Sequence, residues 1–134
     1  MGNDRPVLPP QNTEAEASLL GAILIDSDAI VKIADIISAD DFYDPKHSRI
    51  YEAISQLYEK HSPIDVLTLS DQLKSTGFID FVGGAPYLTE LTNFVPTAAH
   101  AEQYAQIIAE KAMRRRLIKA SHDTVELAYN EEQP

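Results

Sequence analysis

One uninterrupted stretch near the end of the chain constrains the fold more than any other feature. Between Pro96 and Pro134 there is neither proline nor glycine, so nothing local breaks a helix from Thr97 to Asn130. Within it, residues suited to one helical face recur at steps of four, three, four and three: Met113, Leu117, Ala120, Thr124 and Leu127. The stretch is therefore predicted to form one long amphipathic helix.

A helix of this length exceeds the size of the body that the rest of the chain can form. Roughly thirty residues span about 45 Å, whereas a compact body of about a hundred residues is roughly 35 Å across. The projecting half still carries large apolar side chains, namely Met113, Leu117, Ile118, Val125 and Leu127. We expect this half to pack against something outside the body: a return helix, a second copy, or both.

The composition narrows the class of protein. The chain of 134 residues contains no cysteine, which excludes disulfides and thiolate metal sites, and no apolar run as long as a membrane span. The opening residues lack an apolar signal core, so we expect a cytoplasmic protein with no membrane partner. The net charge is −10, and residues 1–97 hold six basic against fifteen acidic residues. Such an acidic body disfavours strong direct binding to nucleic acid and suits partners with basic patches.

The body is predicted to be all-α, with a Pro-rich flexible arm over residues 1–12 and a globular helical head over residues 13–96. Thr13 and Glu16 have the spacing of a capping box that would open the first helix, which then runs to Ile25. Gly21 lies in the middle of that helix, where it is unfavourable by up to about 1 kcal/mol relative to Ala. We expect it to mark the close approach of a neighbouring helix.

Four further short helices follow from local start and stop signals. The second is predicted from an Asp28 N-cap through Ile37, and the third from Asp44-Pro45 to about Lys60. The fourth lies between Asp65 and Gly77, although Ile64 to Leu69 could also form a short strand. Pro86 is expected to start the fifth, before Pro96. Phe42 and Tyr43 are predicted to plug the core from the intervening loop.

Candidate catalytic and metal-binding residues are few. Asp44 and His47 have a spacing that could hold a metal but lack a third ligand, so a surface or capping role is favoured. Asp40-Asp41 is interpreted as a pair of solvated turn residues rather than an acid–base pair. Gly83-Gly84 lacks the G-x-x-x-x-G-K-[ST] pattern and is interpreted as a turn. No catalytic, metal or cofactor-binding residue is predicted in this chain.

The cluster Arg114–Arg116 supports an alternative function. Three consecutive residues span about 200° around a helix and so cannot all face one phosphate ridge. Salt bridges with Glu110, or packing beside the apolar face, are favoured over DNA contact. A small helical DNA-binding domain using these arginines nevertheless stays open as the alternative.

Five sequence blocks, taken together, resemble the N-terminal domain of DnaB-type replicative DNA helicases. They are PPQNTEAEASLLGAIL, DDFYDPKHSRIYEAI, PIDVLTLSDQL, GGAPYLTEL and VPTAAHAEQYAQIIAEKAMRRRLI. The resemblance extends from about Pro9 to Tyr129, and the blocks occur in the family's order and spacing. Each block alone would be weak.

The resemblance implies a non-catalytic assembly and docking domain. In the family, a helical head precedes a hairpin of two long helices, hairpins from two subunits associate, and three such dimers form the collar of a hexameric ring. Residues 97–130 would be the first arm of the hairpin, residues 131–134 a tail, and the return arm would be missing. ATP and magnesium would belong only to a separate motor domain, so the parent, and not this fragment, would be the ATP-dependent helicase.

The resemblance also suggests partners and contact residues. Primase, a helicase loader and further copies of the same protein are the implied partners. The family's primase-responsive positions fall on Glu14, Tyr87 and Ile118. Each also has a purely structural alternative: Glu14 as an acid at a helix start, Tyr87 as a core residue and Ile118 as a residue of the hairpin seam. The implied hairpin or dimer seam consists of Met113, Leu117, Ile118, Ala120, Thr124 and Leu127.

Overall fold

The computed structural model describes residues 7–132, and within them the chain is all-helical, with no strand. Six α-helices and one 3₁₀ turn follow one another: α1 Thr13–Ile25, α2 Ala29–Ile33, the 3₁₀ turn Ala39–Asp41, α3 Pro45–Glu59, α4 Val66–Thr76, α5 Gly84–Leu91 and α6 Ala101–Tyr129. The predicted fold class, short helices followed by one long helix, is confirmed. The first six residues of the predicted arm and the last two of the predicted tail lie outside the described residues.

Helix α1 is the centre of the head. Every residue from Ala15 to Leu24 is buried, because α2, α3, α5 and the first part of α6 all pack against it. Gly21 is the point of closest approach: a Cβ atom there would lie 2.1 Å from the backbone oxygen of Leu91, at the end of α5. The expected close approach of a neighbouring helix is therefore confirmed.

The start of α1 differs from the sequence prediction. The N-cap is Asn12, whose side chain accepts a hydrogen bond from the backbone N–H of Ala15. The predicted capping box of Thr13 and Glu16 is wrong, because the Glu16 side chain points into the core and binds groups from another part of the chain. Asn is as good an N-cap as Ser or Thr, so either residue could have served from the sequence alone.

Helix α2 is shorter than predicted, since it ends at Ile33 and turns carry the chain to the 3₁₀ segment. By contrast, α4 is the predicted helix and not a strand. Asp65 and Thr68 cap each other at its start, and Gly77 ends it in the left-handed conformation. Of the two aromatic residues predicted to plug the core, Phe42 is buried, whereas Tyr43 is exposed at the head surface.

Helix α6 has two different halves. Its 29 residues span about 43 Å, and its buried residues are Ala101, Ala105, Ile108 and Ala112, which pack on α1 and α2. Beyond Ala112 no residue of α6 is buried, although the helix continues unbroken to Tyr129. No helix among residues 7–132 is both long and apolar enough to cross a membrane.

Candidate functional site

A chain of buried polar contacts links three helices of the head. The Glu16 carboxylate on α1 accepts hydrogen bonds from the backbone N–H groups of Tyr43, at 2.7 Å, and Asp44, at 3.3 Å. Its Oε1 also lies 2.9 Å from Nδ1 of His47 on α3. Nε2 of His47 lies 2.6 Å from the hydroxyl of Tyr87 on α5. Glu16 and His47 are each only 2% exposed.

For an ionised Glu16 and a neutral His47, the chemistry of the partners gives the direction of these hydrogen bonds. An ionised carboxylate only accepts, so Nδ1 of His47 donates to Glu16. In the neutral imidazole, Nε2 then accepts from the Tyr87 hydroxyl. Every polar atom of the Glu16–His47–Tyr87 chain therefore has a partner, which explains how a carboxylate and an imidazole can be buried together.

Tyr87 is the member of the Glu16–His47–Tyr87 hydrogen-bond series that reaches the surface. Its ring is half-buried, stacks near the His47 ring with centroids 6.0 Å apart, and carries the Lys46 Nζ 4.1 Å above its centroid. Burial, together with the charges of Asp44, Glu90 and Glu16, raises the pKa of Tyr87 to about 12, so its hydroxyl stays protonated at neutral pH. Its interpretation as an ordinary core residue is incomplete, since its hydroxyl has a specific buried partner.

A second polar cluster joins the head to α6 where the helix leaves the core. The Arg115 guanidinium donates to the carbonyl oxygens of Pro10, at 2.9 Å, and Asp41, at 2.7 Å. Arg116 forms an ion pair with the Asp41 carboxylate, which also accepts from the backbone N–H of Ser38 at 2.9 Å. The prediction that Asp41 is a solvated turn residue is wrong, because it is 6% exposed. Asp40 is exposed, as expected.

The three arginines therefore have different surroundings. Arg114 pairs with Glu110 one turn earlier on α6, which is the salt bridge favoured from the sequence. Arg115 and Arg116 hold Pro10 and the 3₁₀ turn against the middle of α6. The Arg115 guanidinium also lies 5.6 Å from the centre of the exposed Tyr43 ring.

The distal part of α6 carries an uncovered apolar surface. We define the distal face as the exposed residues Met113, Leu117, Ala120, Thr124 and Leu127, which share one side of the helix. Ile118 is also exposed but lies about 100° around the helix from Leu117. Leu117 is 62% exposed and Ile118 is 45% exposed. Around them the helix carries charged pairs at helical spacing, such as Lys119 with Asp123. Burial of the apolar side chains away from water would be favourable, so the face is suited to contact with another protein surface.

The three residues suggested for primase contact lie on different helices. Glu14 is exposed in the first turn of α1, Tyr87 is half-buried on α5, and Ile118 is exposed on α6. No hydrogen bond or ion pair within residues 7–132 joins any two of them.

No group of three potential metal-ligating side chains occurs among the described residues 7–132. His47 is occupied by Glu16 and Tyr87, and the Asp44 side chain caps α3 by accepting from the Lys46 backbone N–H. The expectation that His47 has a surface or capping role is wrong, because it is buried. Sequence reasoning missed the buried roles of Glu16 and His47, although a glutamate followed at once by the mainly apolar run from Ala17 to Leu24 was a signal for Glu16.

Residues 8–110 match the family model described as DnaB-like helicase N terminal domain. Among curated proteins, the chain is 44% identical over 124 residues to the replicative DNA helicase DnaB of Leifsonia xyli subsp. xyli, covering 92% of this chain and 27% of that protein. It is 42% identical over 130 residues to the replicative DNA helicase DnaC of Bacillus subtilis, covering 97% of this chain and 28% of that protein. The chain thus spans about a quarter of the length of these relatives.

Solved structures show the same fold. The crystal structure of the N-terminal domain of DnaB helicase from Mycobacterium tuberculosis matches with a TM-score of 0.89 and 43% identity, over 92% of this chain and 85% of that one. A second structure, described as a DnaB-like replicative helicase and its interactions with primase, matches with a TM-score of 0.77 and 26% identity. That match covers 86% of this chain and 27% of the other.

Proposed function

The chain belongs to the family of DnaB-like helicase N-terminal domains, and from this premise we propose that it is the non-catalytic assembly and docking domain of a replicative DNA helicase. The single observation that carries the proposal is the distal face of α6. A helix that remains unbroken for seventeen residues after its last buried position, Ala112, and keeps large apolar side chains there, presents a surface for another protein.

The first proposed partner is another part of the same assembly. Burying a leucine or isoleucine side chain contributes about 1.5–3 kcal/mol. Leu117 and Leu127 on one side of α6 could therefore support contact with one helix, and Ile118 on another side could support contact with a second. A return helix and a second subunit would cover the distal face, and repetition of that contact would contribute to a hexameric ring. A helicase loader would bind the same assembly.

The second proposed partner is primase. One structural relative is described as interacting with primase, and we extend that interaction to this chain. Glu14, Tyr87 and Ile118 are the proposed contact residues, each lying at or near the surface. Tyr87 is hydrogen-bonded to His47, and His47 to Glu16, so the Tyr87 ring is held in place before any partner binds. A fixed ring loses less conformational freedom on binding than a mobile one.

The arginine contacts weigh against the alternative of a DNA-binding domain. Arg115 and Arg116 are committed to Pro10 and Asp41, and Arg114 is paired with Glu110. The acidic head around them repels a phosphate backbone. ATP and magnesium would act only in a separate motor domain of the proposed full-length helicase.

We expect Leu117→Asp to weaken self-association of the proposed full-length helicase, while the head stays folded because Leu117 is 62% exposed and lies outside the hydrophobic core. Loss of one buried leucine and burial of a carboxylate would raise the dissociation constant at least about tenfold. Sedimentation velocity over a dilution series measures this change. Glu126→Asp, a conservative change on the same exposed half of α6, is the control. If Leu117→Asp associates as tightly as the control, the distal face is not an assembly surface.

A further inference from the structure

A groove on the head, away from α6, has no role in the function proposed above. It runs between α2 and α3 and consists of two neighbouring clefts of about 370 Å³ and about 260 Å³. Ile30 and Tyr58 line both clefts. We call it the α2–α3 groove. Neither α6 nor Tyr87 contributes to its lining.

The groove is long enough to hold more than one side chain. The larger cleft follows α3 from Tyr51 to Glu59, and the smaller continues past the end of that helix to Ile64. The step from Tyr51 to Tyr58 alone is seven residues, or about 10.5 Å along a helix axis. A partner helix presents anchors at such intervals, because residues i, i+3 or i+4, and i+7 share one face.

The larger cleft is mainly apolar, and the smaller cleft combines apolar residues with Ser27, His61 and Ser62. Ile30 and Ile64 form part of its floor and are buried, whereas Val31 and Tyr58 at the mouth are 62% and 40% exposed. Two large apolar side chains that remain exposed beside a cleft offer contact area to a partner's side chains.

The charged side chains that line the groove are acidic, and one histidine lies beside them. Asp28, Glu52 and Glu59 line it, no lysine or arginine does, and His61 is the one further titratable group besides the two tyrosines. Glu52 pairs with Arg49, which lies outside the groove, while Asp28 and Glu59 have no ion-pair partner among residues 7–132. An apolar cleft with an acidic rim is complementary to a segment that combines apolar anchors with lysine or arginine.

We infer that the α2–α3 groove docks a basic amphipathic segment of a partner protein, with apolar side chains in the two clefts and basic side chains against Asp28, Glu52 and Glu59. The groove and the distal face of α6 are separate surfaces. Docking here would therefore leave the distal face free, so that the domain could hold two partners at once.

The probe is a capped peptide of about 14 residues made only of leucine and lysine, with leucines at i, i+3, i+4 and i+7. Titration calorimetry with the 134-residue chain should show binding that weakens as salt is added, because exposed charge pairs are screened. A peptide of the same composition without the helical spacing should bind at least about tenfold more weakly.

Two matched pairs of variants localise the binding. Val31→Asp and Val125→Asp make the same change at exposed valines, one in the groove and one on distal α6. Glu59→Lys and Glu126→Lys reverse the same charge at exposed helical glutamates. We expect each groove variant to weaken binding about tenfold and each α6 variant to change it less than about twofold.

A ¹H–¹⁵N correlation spectrum of the bound chain gives an independent location. The amide shifts should change around Ile30, Val31 and Tyr58, and the spectra of the unbound variants should show that each head is folded. Equal effects of both members of either pair, amide shifts confined to α6, or no binding of the helical peptide would each overturn the inference. The result for Leu117→Asp above does not depend on it, so the two proposals fail separately.

Discussion

Glu16 shows how one side chain can determine the local arrangement of the head. Its carboxylate binds the His47 imidazole and the backbone N–H groups of Tyr43 and Asp44, at the point where the chain enters α3. An unpartnered carboxylate in this position would be strongly unfavourable, whereas three donors directed at it compensate for its loss of water. Glu16 therefore fixes the position of α3 relative to α1.

We expect Glu16→Gln to lower the free energy of unfolding by about 2 kcal/mol, because the amide NH₂ would face a donor where the carboxylate accepted. Urea denaturation measures the change. Glu14→Gln removes the same charge two residues earlier, at an exposed position, and should change stability by less than about 0.5 kcal/mol. Equal losses in the two variants would mean that the buried contacts of Glu16 do not stabilise the head.

Two tyrosines make the head sensitive to alkaline pH. Burial is the main cause that raises the pKa of Tyr51, and likewise that of Tyr87, from the ordinary value of 10 to about 12. Each folded-state pKa lies above the unfolded value, so the folded state retains protons that the unfolded state loses. Their contribution to stability is therefore complete below about pH 10 and is lost as the pH rises from about 10 to about 12.

We expect the free energy of unfolding to fall between about pH 10 and about pH 12, and to fall less steeply in Tyr51→Phe, which has no hydroxyl to ionise. Urea denaturation at a series of pH values tests this. Tyr129, which is 84% exposed on α6, is the matched control, since Tyr129→Phe should leave the slope unchanged. A Tyr51→Phe slope as steep as that of the unaltered chain would contradict the assignment.

At the scale of the helices, the contact of α1 with the end of α5 at Gly21 opposes helix propensity, which favours Ala, to close packing, which favours Gly. Helix propensity favours Ala over Gly by about 1 kcal/mol inside a helix. At Gly21, however, an added Cβ would lie 2.1 Å from the Leu91 carbonyl oxygen, which is backbone and cannot rotate away. Overpacking of this kind costs about 1–3 kcal/mol. The steric cost therefore exceeds the gain in helix propensity.

We expect Gly21→Ala to lower the free energy of unfolding by up to about 2 kcal/mol net, since the clash outweighs the better helix propensity of Ala. Thermal or urea denaturation tests the sign. Ala22→Gly, at the neighbouring buried position, should also destabilise, since it removes a packed methyl group and adds backbone freedom. A stabilised Gly21→Ala would show that α1 and α5 are further apart than described.

Helices with strong end signals were predictable from the sequence, and contacts between helices were not. Asp65 and Gly77 at the ends of α4 are local features, and so is the absence of proline and glycine in α6. The burial of Glu16, His47 and Asp41 depends on residues between 27 and 75 positions away. No periodicity within one helix can indicate such partners, so Glu16 was assigned to a capping box and Asp41 to a solvated turn.

At the scale of the whole molecule, an acidic head and a projecting helix divide the surfaces available to partners. The head contains the buried core, the α2–α3 groove and the fixed ring of Tyr87. Distal α6 contains the apolar face, most of which lies beyond the contacts of Arg115 and Arg116 with the head. Those contacts attach the middle of α6 to the head, so that the exposed half has a defined direction relative to the head. The proposed assembly role depends on this half being covered by another protein surface.

Amide hydrogen exchange over residues 113–129 tests that dependence most directly, measured on the isolated 134-residue chain and on the proposed full-length helicase. In the dilute isolated chain these amides should exchange rapidly, because beyond the contacts of Arg115 and Arg116 with the head no core contacts oppose local opening of distal α6. In the full-length helicase they should exchange at least about tenfold more slowly, with residues 101–112 protected in both. Equal exchange of residues 113–129 in the two proteins would contradict the account.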